Sequence, residues 1–440
     1  MMSIKRRERD AIVQSLRAGV VPKLGLQHIQ VGRVREIEEL VKDMERIADG
    51  GSAIRFIIGE YGSGKTFFLN LIRLIALEKG LVVMSADLAP DRRIHATGGQ
   101  ARSLFAEMSR NFSTRTKPDG GALPSIVERF IGHAEQTASK EDTSVANVVR
   151  KQLAHFQEMT GGFDFAEVIK KYWDGHETGN EDLKAASLRW LRAEYATRTD
   201  AKNALGVRTI IDDANVYDMI KLMSAFSVAA GYKGLLVSLD ELVNLFKLTS
   251  SQARNANYEQ ILRILNDVLQ GSASHLGFLL GGTPEFLMNT RRGLYSYEAL
   301  QSRLAENTFA TGGLVDLSGP VIKLANLTPE DLFVLLRNVR LVVQGEDNPI
   351  PDRALEAFMA HCSDRIGEAY FRTPRNTVTA FVNMLSVLEQ NPGTQWEDLI
   401  EEVTIATDSG DDLSDITDAG TSGTATGAED SSDDLSSFKL

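Results

Sequence analysis

The chain has 440 residues, 43% of them apolar, enough for two or three cores; its single cysteine, Cys362, excludes an internal disulfide and a cysteine-rich zinc site and fits a reducing cytoplasm. The formal charge is −12, but nine acidic residues and one lysine fall between Asp408 and Leu440, which leaves −4 on the rest and no bulk charge for or against nucleic acid. There is no unbroken apolar run of about 18 residues, and the opening MMSIKRRERD leads into charge, so neither a membrane span nor a secretory leader is expected.

Residues 1–50 form a first, helical segment, in which VGRVREIEEL (Val31 to Leu40) reads as a helix N-terminus with a charged face. Ile54 to Ile58 then reads as a buried strand and Phe67 to Leu77 as a helix. Between them Gly59, Gly64, Lys65 and Thr66 match the phosphate-loop pattern G-x-x-x-x-G-K-[ST] in full. Gly59, Gly62 and Gly64 are expected to take positive φ and turn backbone N–H groups inward, making an anion site from residues Gly59, Glu60, Tyr61, Gly62, Ser63, Gly64, Lys65, Thr66 and Phe67. Lys65 is expected to reach the β and γ phosphates of ATP and Thr66 to offer its hydroxyl to Mg²⁺, while the helix points its positive end at the phosphates.

A second strand follows at Gly80 to Leu88, and then strand character disappears from about 90 to 231. Helical stretches such as ARSLFAEMSRNF, SIVERFIGHAEQ, SVANVVRKQLAHFQEM and YDMIKLMSAFSVAAG fill this interval, which reads as a helical insertion. Arg92, Arg93, Arg110, Arg115 and Lys117 at its start read either as a DNA contact or, the preferred reading, as a lightly charged solvated face. The sheet resumes at Gly234 to Leu239, a strand that ends in Asp240 and Glu241. Asp240 is expected to hold Mg²⁺ through water from the strand neighbouring the phosphate loop, and Glu241 to polarise the attacking water; the alternative for the pair is a cap on the next helix.

A helix over Asn257 to Leu269 and a strand over Leu276 to Thr283 come next. Thr283 reads either as a polar group beside the γ-phosphate or as the cap of a helix opening at Pro284. Arg303 is the candidate arginine finger, supplied across a subunit contact, with Arg291 and Arg292 as competitors. A strand at Val321 to Leu324 closes the expected ATPase core, 51–325. Residues 326–406 read as a helical lid in which Arg375, with Arg372 as its rival, brings a second cation to the phosphates. Residues 407–440, rich in Gly, Ser, Thr and Asp, are expected to be a disordered acidic tail; its apolar Leu435, Phe438 and Leu440 read as partner anchors or as part of a plain solubilising tail.

The phosphate loop, the Asp-Glu strand, the threonine after the next strand, SRL and a lid with a Pro-Arg-Asn motif together resemble AAA+-type ATPases of the origin-recognition and transposition-regulator kind. More closely, SLRAGVVPKLGLQHIQVGRVREIEEL running into RFIIGEYGSGKTFFL resembles the BrxD-like ATP-binding proteins of BREX phage-defence loci and related defence operons, over roughly Ala11 to Leu388. The resemblance implies an α/β P-loop NTPase of AAA+-like type, with a parallel sheet, helices on both faces, a helical insertion and a helical C-terminal lid. It implies Ile29, Val31, Gly32 and Arg33 at the adenine. It also implies a cytoplasmic, Mg-dependent ATPase that assembles with itself and acts in phage defence as a DNA-associated motor or switch, beside a helicase, a modification enzyme or another defence-operon protein. Origin-recognition relatives carry a winged-helix DNA reader after the lid, which is not expected here, so DNA contact would fall to the insertion, to pore loops or to a partner. The rival reading is a signalling ATPase whose nucleotide controls oligomerisation without DNA; a small-molecule kinase is argued against by Asp240-Glu241 and the lid arginine.

Overall fold

The computed structural model describes residues 4–310, 315–345, 350–366 and 374–402; the acidic tail and Arg372 fall outside them. Among the described residues the chain opens with helices α1 (Arg6–Arg17) and α2 (Val34–Ala48), followed by strand β1 (Ser52–Ile58), helix α3 (Lys65–Glu78) and strand β2 (Val82–Asp87). Seven helices then stand where an insertion was expected: α4 (Gln100–Arg110), α5 (Leu123–Glu141), α6 (Val145–Ala154), α7 (Gly162–Thr178), α8 (Glu181–Leu191), α9 (Arg198–Leu205) and α10 (Val216–Ala229). Strand β3 (Leu235–Asp240) leads to α11 (Val243–Phe246) and α12 (Ser251–Leu269), and β4 (Leu276–Gly282) to α13 (Pro284–Met288) and α14 (Glu298–Leu304). After β5 (Val321–Lys323) come α15 (Pro329–Gln344), α16 (Asp352–Ile366), α17 (Pro374–Gln390) and α18 (Trp396–Glu402).

All strand pairs are parallel, in the order β2-β3-β4-β1-β5, so the fold is of the expected α/β class. A parallel sheet with both faces covered needs apolar residues in succession rather than in alternation, and β1, β3 and β4 are buried at every position. On one face Ala53, Ile57, Leu236 and Leu279 pack with Leu40 and Met44 of α2 and Phe68 and Ile72 of α3. On the other, Ser52 Oγ donates to Val268 O of α12 at 3.1 Å and Phe278 meets Tyr217 of α10, ring centroids 6.3 Å apart. One charge is built into the sheet: Arg55 of β1 donates to both carboxylate oxygens of Asp43 on α2, at 2.5 and 3.1 Å, and to Leu317 O at 2.7 Å. Removal of either partner would strand a buried charge.

The insertion has its own aromatic centre, where Phe226 lies 5.2, 6.3 and 5.6 Å from Phe130, Phe156 and Phe165. A further apolar cluster joins the two ends of the described chain: Ile12 and Ile29 pack with Leu336, Phe358, Cys362, Phe381 and Leu385. Hydrogen bonds pin the same contact, from Thr379 Oγ1 to Leu16 O at 2.9 Å and from Arg17 Nε to Ser386 Oγ at 2.9 Å. Residues 1–50, read from the sequence as one segment, therefore divide in their packing. α1 and the turn at Leu26–His28 belong with the C-terminal helices, and α2 belongs under the sheet.

Candidate functional site

The phosphate loop links β1 to α3 at the C-terminal edge of the sheet, where parallel strands leave room for ligands. Gly62 and Gly64 take φ of 80° and 83°, as expected, but Gly59 does not have positive φ. Its need is space: a Cβ there would stand 2.4 Å from Ser63 Oγ. Within the loop Ser63 N–H donates to Glu60 O at 3.1 Å, while the N–H groups of Gly64, Lys65 and Thr66 have no backbone partner among the described residues. Those free donors at the start of a 14-residue helix are what an anion requires. Lys65 Nζ donates across the loop to Gly59 O and Glu60 O, at 2.8 and 2.9 Å. Burial pushes its pKa down against the upward pull of Asp240, Glu241, Glu60 and Glu285.

Asp240 does not come from a strand neighbouring β1, as the sequence suggested, because β4 lies between β1 and β3. Its carboxylate nevertheless accepts from Thr66 Oγ1 at 2.7 Å. Gly281 of β4 makes the crossing possible: a Cβ on it would lie 2.4 Å from Asp240 Oδ1 and 2.8 Å from Leu69 Cδ1. Glu241 follows in the left-handed region, φ 60°, with its N–H donating to Asp240 Oδ1 at 2.8 Å. For a residue with a Cβ that conformation is uncommon. It turns the Glu241 side chain away from the line of the strand and onto the same cavity as Lys65. Burial, and then Asp240, pushes the Glu241 carboxyl above the ordinary glutamate range.

The cavity has a volume of about 270 Å³. One end is the loop from Tyr61 to Phe67; the other is apolar, with Val20, Val21, Ile29, Val31, Leu335 and Val378 on its walls. A polar cradle joined to an apolar slot fits a nucleotide, phosphates at the loop and base in the slot. Thr66 and Asp240 supply the hydroxyl and carboxylate that a Mg²⁺ ion beside the phosphates would use. Arg375, at the start of α17, lines the cavity from the C-terminal helices.

Of the residues expected at the adenine, Ile29, Val31 and Arg33 line the cavity and Gly32 does not. Arg33 does more than pack: its Nη2 donates to Ser63 O at 2.9 Å and Ala325 O at 2.8 Å, tying the N-terminal segment to the phosphate loop and to the chain after β5. Burial lowers its pKa, against Glu36 and Asp331. Thr283 is 9% exposed, lies outside the cavity and accepts from Phe286 N at 3.4 Å, the helix-cap arrangement. Arg303 is exposed on α14 and donates to Ala299 O of its own helix at 2.8 Å, away from the cavity of its own chain. Arg292 is held by Phe246 O and Leu248 O, both at 3.2 Å. Of the basic residues at the start of the insertion, Arg92, Arg110 and Arg115 face Glu107, Glu107 and Glu78 at 3.9, 3.3 and 3.1 Å. That is the pattern of a paired, solvated face.

Two carboxylates escaped the sequence reading. Asp87 ends β2 in register with Asp240 at the end of β3, and burial followed by Asp240 pushes its pKa up. A signal was present in the matching strands VVMSAD and LLVSLD, whose serines and aspartates pair in parallel. Glu285, on the first turn of α13, is among the acids that act on Lys65, and nothing local in the sequence marks it.

No helix among the described residues is long and apolar enough to cross a membrane. A comparison with curated proteins finds no match. Among solved structures the chain is similar to the Aeropyrum pernix ORC2 protein in its ADPNP–ADP complexes, at 16% identity and a TM-score of 0.40, over 84% of this chain and 68% of that one. The family model of the BREX system ATP-binding protein BrxC/D matches residues 4–404, and the chain belongs to that family.

Proposed function

We propose that the chain is a Mg-dependent, AAA+-type ATPase that assembles with itself and works in the cytoplasm in phage defence, as a motor or switch on DNA beside a helicase or modification enzyme. The observation that carries the reading is the Thr66–Asp240 hydrogen bond, with Lys65 and Glu241 on the adjoining cavity. Lys65 would hold the phosphates; Thr66 and, through water, Asp240 would hold a Mg²⁺ ion, which would neutralise charge on the phosphates; and Glu241 would take a proton from the attacking water. We assign residues 51–325 to the ATPase core, with the insertion at about 90–231, and residues 326–406 to a lid that delivers Arg375. Arg303 enters as a finger for the neighbouring subunit, while Thr283 keeps the helix cap.

Lys65→Ala should abolish ATP binding, whereas Glu241→Gln should bind ATP and hydrolyse it at least about a hundredfold more slowly. Hydrolysis by Glu241→Gln at the parent rate would remove the base from this scheme. Arg303→Ala should bind ATP and hydrolyse it poorly, and mixing it with Glu241→Gln should restore activity at mixed interfaces. No recovery, with mixed assembly verified by differential tagging, would sink the finger. The ion pairing of Arg92, Arg110 and Arg115 favours a second reading, nucleotide-controlled oligomerisation without DNA. An ATPase rate unmoved by duplex or single-stranded DNA would select it.

A further inference from the structure

A second cavity, of about 230 Å³, adjoins the nucleotide cavity at Thr66, which lines both. Asp240 and Asp87 lie on its wall, so a polyphosphate ending at Thr66 would meet two carboxylates from the ends of neighbouring strands. Three cations share the cavity with them. Arg73 is 7% exposed and already donates to Ser113 Oγ at 3.3 Å and to Pro118 O. Arg92 sits between Asp91 and Glu107, at 3.8 and 3.9 Å. The third, Lys23, is exposed and makes no hydrogen bond or ion pair among the described residues.

Lys23 stands on the strap between α1 and α2, directly after Val20, Val21 and Pro22, which wall the nucleotide cavity. The strap is held at both ends, by the packing of Ile12 and Ile29 with the C-terminal helices and by Arg33 on the phosphate loop, which keeps the lysine on the wall of the second cavity. An exposed ammonium that lines the same cavity as Thr66, Asp87 and Asp240, and is not ion-paired among the described residues, can supply charge to a third phosphate that a diphosphate would not need.

We propose that Lys23 is a specificity-determining residue that contacts the terminal phosphate of a bound nucleoside triphosphate and distinguishes it from the diphosphate. The proposal rests on the nucleotide-site reading above. It assigns to the N-terminal strap a role that the phosphate loop, the Asp-Glu pair and the lid arginine leave open.

The test measures Kd by titration calorimetry on the full chain for Mg–ADP and for a non-hydrolysable Mg–ATP analogue, in the parent, Lys23→Met and Lys23→Arg. The expected result is a loss of about tenfold for the triphosphate in Lys23→Met, with ADP affinity held within about twofold and Lys23→Arg close to the parent. Equal loss for both nucleotides would make Lys23 a structural residue and overturn the proposal, as would no loss for either or a Lys23→Arg variant as weak as Lys23→Met. A parent chain that binds neither nucleotide would instead overturn the site reading on which this one stands. Because Lys23 is exposed, its variants should unfold at the parent temperature without nucleotide, and a lowered Tm with both affinities reduced would count against it.

Discussion

Phe67 and Phe68 are adjacent on α3, yet they face two different cores. Phe68 is buried beneath the sheet with Leu40, Ile57 and Ile72, and with Leu236, Leu279 and Ile322 from the later strands. Phe67, half-buried, packs against the cluster of the C-terminal helices, which also takes in Ile12 and Ile29 from the opposite end of the sequence. The sheet core is built around continuous parallel ladders, whereas the second core is helix on helix with no such ladder. The nucleotide cavity lies where they meet, with the loop contributed by the first and Val378, Leu335 and Arg375 by the second. Phe67, on the first turn of α3, belongs to the second core and also lines the cavity, so nucleotide binding and the seating of the C-terminal helices should be coupled.

The largest effect should come from breaking the sheet core. Phe68→Ala should cost about 3–5 kcal/mol of unfolding free energy, whereas Phe67→Ala should cost about 1 kcal/mol and weaken nucleotide binding instead. Denaturant titrations with and without ATP check both, and equal destabilisation by the two substitutions would abolish the distinction between the cores. Next in size is Gly281→Ala. Its Cβ would occupy the path of Asp240 to Thr66, so hydrolysis should fall about a hundredfold while ADP affinity stays within a few-fold of the parent. Unchanged hydrolysis would show that the crossing does not need the gap.

The smallest effect reports on the second core alone. Cys362 is fully buried there, and burial pushes its thiol up to about 12. Since the thiolate is the nucleophile and burial favours the neutral thiol, labelling at pH 8 in the folded state should be slow. The labelling rate should therefore climb about tenfold per pH unit through pH 9 and 10, where an exposed thiol would level off, and Ile12→Ala should raise it by loosening the packing. Rapid labelling of the parent at pH 8 would mean that the helices open freely.

The phosphate loop, the strand before it and the helix after it were legible because their spacing is local. Glycines that turn backbone amides inward must stand a fixed number of residues from the lysine and threonine they serve, and the strand and helix patterns on either side are unbroken. The Asp240-Glu241 pair was legible for the same reason, as was the helical interval between β2 and β3. How Asp240 reaches Thr66 was not, because nothing in a one-dimensional pattern says that β4 intervenes or that Gly281 is small for the sake of a side chain two strands away. The division of the first fifty residues was hidden too. α1 and α2 are both amphipathic, with Ile12 as the buried position of one and Leu40, Met44 and Ile47 among those of the other. An amphipathic stripe states that a face will be buried, while the surface that buries it is chosen by the ends of the chain coming together. For the same reason Lys23 reads in sequence as an ordinary exposed lysine. Only the path of the strap, anchored by Ile12, Ile29 and Arg33, brings it to the cavity that Thr66, Asp87 and Asp240 also line, since proximity across such distances along the chain is a property of packing and not of spacing.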